Sequence, residues 1–268
     1  MEAKSALSPV AELARRHDPD RFLCALFAPS EARETIFTLI AFNNELARAR
    51  EVAREPMMAL IRLQWWREVV EEAVAGAPAR RHEVAEPLSA AIKDGRLQPE
   101  ALLRMIEGRE EDEPPADRQA FEQSLAATSG ALAVEMGRVL GAPDALAEPL
   151  ARAGMAYGLA GTLRSLPVLL ANGREPLPHD ILPQGAAPSG QAVVLREMAT
   201  SGLAELRSTR AALRSLPRQA IAAALPLVLA RRDFVREASA GWQWDAEPRS
   251  RGAGDRLAVA WAGLRGRI

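Results

Sequence analysis

Seven acidic side chains stand in two tight groups: Glu68, Glu71 and Glu72 in one, and Glu110, Glu111, Asp112 and Glu113 in the other. Carboxylates three or four apart on a helix can hold a divalent cation between themselves and a phosphate. Neither group suits that work. Arg67 stands four residues before Glu71, an ordinary surface pair. The second group abuts Pro114 and Pro115 and reads as a solvated segment. No DxxxD or DDxxD run occurs. The three histidines, His17, His82 and His179, are scattered, and Cys24 is the single cysteine. That excludes an internal disulfide framework and argues against a structural zinc site. GxxxxGK[ST], GxGxxG and GxSxG are all absent, which disfavours a P-loop nucleotidase, a Rossmann cofactor site and a serine nucleophile elbow.

Three stretches remain unusual. In "AFNNELARAR" (41–50), Asn43 and Asn44 sit side by side within an apolar helical pattern. Asn43 shares a face with Ile36, Ile40, Ala47 and Arg50, so it needs a hydrogen-bond partner if buried. Gln64 or Arg164 on a facing helix is the expected bridge, with ligand contact as the alternative. "RLQWWREVV" (62–70) carries Trp65 and Trp66, which point about 100° apart on a helix. Trp66 follows the Leu63 and Val70 stripe inward, leaving Trp65 for a neighbouring helix or a cavity mouth. In "AYGLAGTLRSLPVLLANGREPLP" (156–178) and just before it, Gly154, Gly158, Gly161 and Ser165 form a small-residue stripe beside Tyr157 and Arg164. Each glycine costs about 1 kcal/mol in a helix interior. Close helix contact or room for a long apolar ligand would explain the repetition.

Helices must carry these residues. Helical periodicity runs through most of the 268 residues and strand patterns are almost absent. The pattern predicts a first helix in "RHDPDRFLCALFA", capped by Asp18 or Asp20 and broken at Pro29. Further helices are expected near 31–50, 57–75, 84–94, 99–108, 121–140, 145–170, 193–214 and 217–238. The segments 107–118 and 173–192 read as loops. At 48% hydrophobic residues the chain can build a core without staples. The expectation is one all-α domain over 1–268, with a peripheral tail at 241–268. Net charge is -1, giving no reason to expect a nucleic-acid partner. No leader pattern or spanning segment is visible, so a cytoplasmic protein is the default.

In the three stretches the chain resembles the squalene and phytoene synthase family. "RFLCALFAPSEARETIFTLIAFNNELARAR" carries the match most strongly, supported by "MALIRLQWWREVVEEA" and "AYGLAGTLRSLPVLLANGREPLPHDIL". The resemblance covers about 15–182 and is closest to a divergent branch that includes a mitochondrial assembly factor for respiratory complex I. It implies an isoprenoid-synthase-like helical bundle around a central cavity. Active members join two isoprenoid diphosphates using Mg²⁺ held by two aspartate-rich motifs. The first, A-F-C-R-x-x-D-D-x-x-D, matches here at Ala41 and Phe42. Asn43 and Asn44 then replace cysteine and arginine, and the aspartates fall on Ala47, Arg48 and Glu51. The second, N-I-x-R-D-x-x-E-D, matches at Arg164, and its acidic positions fall on Ser165, Val168 and Leu169.

One carboxylate at most, Glu51, survives from both motifs. Arg48, Arg50 and Arg164 could bind phosphate, but that differs from metal-assisted ionisation. The expectation is therefore a noncatalytic relative without a cofactor. It would act by binding in complex I assembly, with complex I subunits or assembly proteins as partners, peripherally at the inner membrane. The alternatives are a Mg²⁺-dependent head-to-head prenyl transferase and an isoprenoid-lipid-binding protein. Contact candidates are Asn43, Asn44, Ala47, Arg48, Glu51, Gln64, Trp65, Tyr157, Gly158, Gly161, Arg164 and Ser165. At 249–268, Leu257, Trp261, Leu264 and Ile268 form a stripe among arginines. The stripe suits either a docked helix or a membrane surface.

Overall fold

Two caps set the start of the fold. The Ser8 hydroxyl accepts the Ala11 N–H at 3.1 Å and opens α1 (Pro9–His17). Asp18 then ends α1, and its carboxylate accepts the Arg21 N–H at 2.9 Å to open α2 (Pro19–Ala25). The pattern predicted one helix here, and the structure has two. Pro19 lacks the N–H that would continue α1, whereas it suits the first turn of a new helix.

The computed structural model describes residues 7–51, 56–110, 114–182, 188–247 and 250–268. Beyond Pro29 come α3 (Ser30–Glu51), α4 (Pro56–Val74), α5 (Ala85–Lys93) and α6 (Pro99–Glu107). They are followed by α7 (Arg118–Leu125), α8 (Ala131–Val139), α9 (Ala147–Ala171) and α10 (Pro188–Ala212). Last are α11 (Ile221–Ala224), α12 (Pro226–Glu237) and α13 (Ala253–Arg265). Among the described residues there is no strand. Helix α10 begins at Pro188, inside the stretch expected to be irregular.

The helix expected at 121–140 is α7 and α8 joined by a π-helical turn, Ala126–Gly130. Thr128 donates its hydroxyl to the Ser124 carbonyl at 2.7 Å within it. The turn meets α9, the centre of the fold, which packs on α8, α10 and α12 and is apolar nearly all round. Here the small-residue stripe divides. A Cβ on Gly154 would lie 2.2 Å from the Ser129 carbonyl oxygen, and one on Gly158 would lie 2.8 Å from the Ser129 hydroxyl. Both glycines therefore serve close helix contact. A Cβ on Gly161 would meet nothing within 4 Å.

On the other side of the bundle α3 packs against α1, α4, α5 and α8. Phe42 of α3 and Trp66 of α4 meet edge-to-face, with ring centroids 5.4 Å apart. Trp66 is buried, as expected. Trp65 is half-buried and turns to a shallow groove on the outer face of α4, shared with Leu60, Ile61 and Gln64. Its ring also meets His82, in the turn after α4, with centroids 5.4 Å apart.

Candidate functional site

The faces of α3 and α9 that carry Ala47 and Gly158 meet at a cavity of about 190 Å³. Leu46, Arg109, Thr162, Leu169 and Arg174 also line it. Asn43 is buried nearby, with the Arg109 guanidinium 3.5 Å from its Oδ1. The bridge expected from Gln64 or Arg164 is thus replaced by one from the end of α6. Gln64 is exposed and reaches Glu68 at 3.4 Å. Asn44, Gly161 and Ser165 are half-buried on the same two helices. Arg48, also half-buried, lies 3.6 Å from Glu45. The Glu51 side chain falls outside the described residues, as do Glu111, Asp112 and Glu113.

The glutamates of α4 work as a surface network with different partners from those expected. Arg67 pairs with Glu110 at 2.8 Å and Glu107 at 3.6 Å, not with Glu71. Glu68 and Glu72 together hold Arg80 at 2.8 and 2.7 Å. The turn after α4 brings Arg80 back over its own helix.

The strongest charge constellation lies elsewhere, and sequence reasoning passed over most of it. Arg251, just before α13, donates two hydrogen bonds to Asp233 of α12, at 2.6 and 2.8 Å. Its Nε donates to Asp20 of α2 at 2.8 Å. Arg164 of α9 stands 3.7 Å from both carboxylates, and the Tyr157 hydroxyl donates to Asp20 at 3.1 Å. Tyr157 and Arg164 therefore belong to this cluster rather than to the lining of the α3–α9 cavity. The Arg21 guanidinium covers the Tyr157 ring at 4.5 Å. Burial pushes the Tyr157 phenol well above its usual range, helped by the charge of Asp18. Arg236 and Arg232 extend the network to Asp255 of α13. Burial would raise the Asp255 carboxyl, but hydrogen bonds from Arg232, Arg236 and the Gly252 N–H hold it down at about 2. The sequence signals for the cluster were Tyr157 and Arg164, beside the small-residue stripe of α9.

Glu237 completes the cluster as a protonated acid. Burial, then the charge of Asp233, push its carboxyl up to about 8 from the ordinary 4.5. Its Oε2 has no hydrogen-bond partner among the described residues. Between these two values the folded chain holds a proton that the unfolded chain has lost. Stability should therefore fall as pH rises from about 4.5 to about 8, by roughly 5 kcal/mol. Glu237→Gln is expected to flatten that slope in urea unfolding measured at several pH values. An unchanged slope would place the titration elsewhere.

With this geometry in hand, the chain can be set beside known proteins. The sequence profile described as squalene/phytoene synthase matches residues 14–253. The chain belongs to the squalene/phytoene synthase family. Solved members have the same fold. A dehydrosqualene synthase in complex with ligand superposes at a TM-score of 0.79, with 12% identity, over 96% of this chain and 94% of that one. Squalene synthase HpnC from Alicyclobacillus acidocaldarius does so at 0.66, with 19% identity, over 96% and 92%. Among relatives, "NADH dehydrogenase (ubiquinone) complex I, assembly factor 6" of Mus musculus is 29% identical over 231 residues, 81% of this chain and 69% of that protein. The Homo sapiens protein of the same description is 31% identical over 174 residues, 63% and 52%. A Drosophila melanogaster homolog is 28% identical over 166 residues, 58% and 49%. The matches thus span from about half to about two thirds of the relatives' lengths.

The Mg²⁺ that squalene/phytoene synthases are expected to use does not fit the donors described here. Magnesium asks for hard oxygen ligands in near-octahedral array. Ala47, Ser165, Val168 and Leu169 offer no carboxylate, and Arg48 brings a cation. Asp20 and Asp233 are already engaged by Arg251. Among the described residues no group of three or more His, Cys, Asp or Glu side chains is placed to share an ion.

Proposed function

We propose that this squalene/phytoene synthase family member acts by binding rather than catalysis, in the assembly of respiratory complex I. One observation carries the noncatalytic part. The cavity between the two motif helices is edged by Arg109 and Arg174, and five of the six motif positions hold alanine, arginine, serine, valine and leucine where carboxylates are expected, Glu51 being the sixth. The process is supported by the relatives described as complex I assembly factors. The partners on this reading are complex I subunits or assembly proteins, met at the inner membrane, and no cofactor takes part. On this reading contact there is peripheral; no helix among the described residues is long and apolar enough to cross a membrane.

Three experiments test the reading. The purified chain, given farnesyl and geranylgeranyl diphosphate with Mg²⁺, should form no coupled product. Calorimetry with a non-hydrolysable prenyl diphosphate should show no Mg²⁺-dependent binding in the micromolar range. Cells lacking the chain should assemble less complex I on native gels, and adding it back should restore the complex. Product formation would favour the transferase reading. Tight metal-free binding of the prenyl chain would favour an isoprenoid-lipid carrier. Normal complex I in the deletion strain would remove the assembly role.

A further inference from the structure

Helix α13 is docked on one face and bare on the other. Asp255, Val259, Ala262 and Gly263 are buried. Gly263 lets the Phe27 ring come so close that a Cβ there would lie 2.4 Å from it. Asp255 is tied to Arg232 and Arg236 of α12. The helix is thus fixed in rotation, and its outer face is fixed with it. That face shows Leu257, Trp261 and Leu264, which are 68%, 60% and 66% exposed. At i, i+4 and i+7 they form one ridge. Ile268, expected in the same stripe, instead packs partly against the core.

Beside the ridge runs a groove of about 680 Å³ between α12 and α13. Its floor includes Leu227, Val228 and Ala262, and its rim is arginine, with no acidic side chain among its lining residues. Arg265 lies over the Trp261 ring at 4.2 Å. Among the described residues no carboxylate pairs with Arg231, Arg265 or Arg267. Unpaired cations around an exposed tryptophan and two leucines match the layering of an anionic membrane surface. Phosphates lie outermost there, and an amphipathic zone beneath accepts indole and aliphatic groups. A second copy of the chain would set the same arginines against each other, which disfavours self-association.

We propose that α13 and this groove are a docking surface for an anionic phospholipid bilayer. Trp261, Leu257 and Leu264 enter the interface, while Arg231, Arg265 and Arg267 meet lipid phosphates. The surface does not involve the α3–α9 cavity and does not depend on the chain's part in complex I assembly.

Flotation of the full chain tests it, using phosphatidylcholine vesicles with and without phosphatidylglycerol. The chain should float with the anionic vesicles and stay behind with the neutral ones. Leu257→Glu/Trp261→Glu should abolish flotation while leaving thermal unfolding nearly unchanged, since both side chains face water. Arg231→Gln/Arg265→Gln/Arg267→Gln should weaken anionic binding by about 100-fold. It serves as the second arm if the first variant misfolds. Equal flotation with neutral vesicles, no flotation of the full chain, or undiminished flotation of both variants would overturn the proposal. So would a chain that is dimeric in sedimentation and becomes monomeric in the ridge variant, because the ridge would then be a self-contact.

Discussion

Replacing Arg251 with alanine is expected to lower the unfolding free energy by about 3–5 kcal/mol. The arginine makes three hydrogen bonds of 2.6–2.8 Å to Asp20 and Asp233. Asp233 is only 2% exposed. Removing the guanidinium leaves Asp20 with no cation nearer than Arg164 at 3.7 Å, while Asp233 loses its two shortest bonds and keeps Arg236 at 3.0 Å. The penalty comes from that stranded charge, not from the pair's own net worth. A buried ion pair roughly breaks even against well-packed apolar groups. Asp233→Asn/Arg251→Met should therefore recover a good part of the loss. Urea unfolding of wild type and both variants decides the matter. If Arg251→Ala leaves the midpoint where it was, the cluster contributes little to holding α2, α12 and α13 together.

Trp66→Ala is expected to cost a similar amount, about 3–5 kcal/mol. Its ring is 4% exposed and meets Phe42 at 5.4 Å, Trp65 at 4.8 Å and His82 at 5.2 Å. Truncation would open a large void between α3 and α4, and edge-to-face contacts would be lost with it. Trp65→Ala is the control. That ring is only partly buried, and Arg80 lies over it at 5.4 Å. Its loss should cost about 1–2 kcal/mol. Equal denaturant midpoints for the two variants would count against the assignment of Trp66 to the core.

The long helices were legible because their apolar periodicity extends over many turns. Helices α3, α4 and α9 fall within a few residues of expectation. Local chemistry also told where the chain breaks: Pro29 and the Asp18 cap are both read from neighbours in sequence. The π-helical turn was not legible in the local sequence; it lies where Ser129 closely approaches Gly154 on another helix. Asp20 looked like a cap, and Asp233 and Arg251 carried no motif at all. Their meaning lies in contacts across 18 to 231 residues of sequence, which periodicity does not encode. The family resemblance located the motif positions on α3 and α9. It gave no hint that Arg109 would take the place beside Asn43.

The Asp20–Arg251 bond, 231 residues apart in sequence, also bears on how the chain is made. During synthesis Asp20, Tyr157, Arg164 and Asp233 all leave the ribosome before Arg251 does. Until then the carboxylates have every reason to stay hydrated, and the faces of α2, α9 and α12 that carry them should resist closing on one another. Closure over so long a loop is slow, and open helical intermediates expose apolar surface while they wait. The bundle should therefore complete itself only after translation has passed residue 251, so that a chain stopped short of that point remains open and becomes a substrate for quality-control proteases.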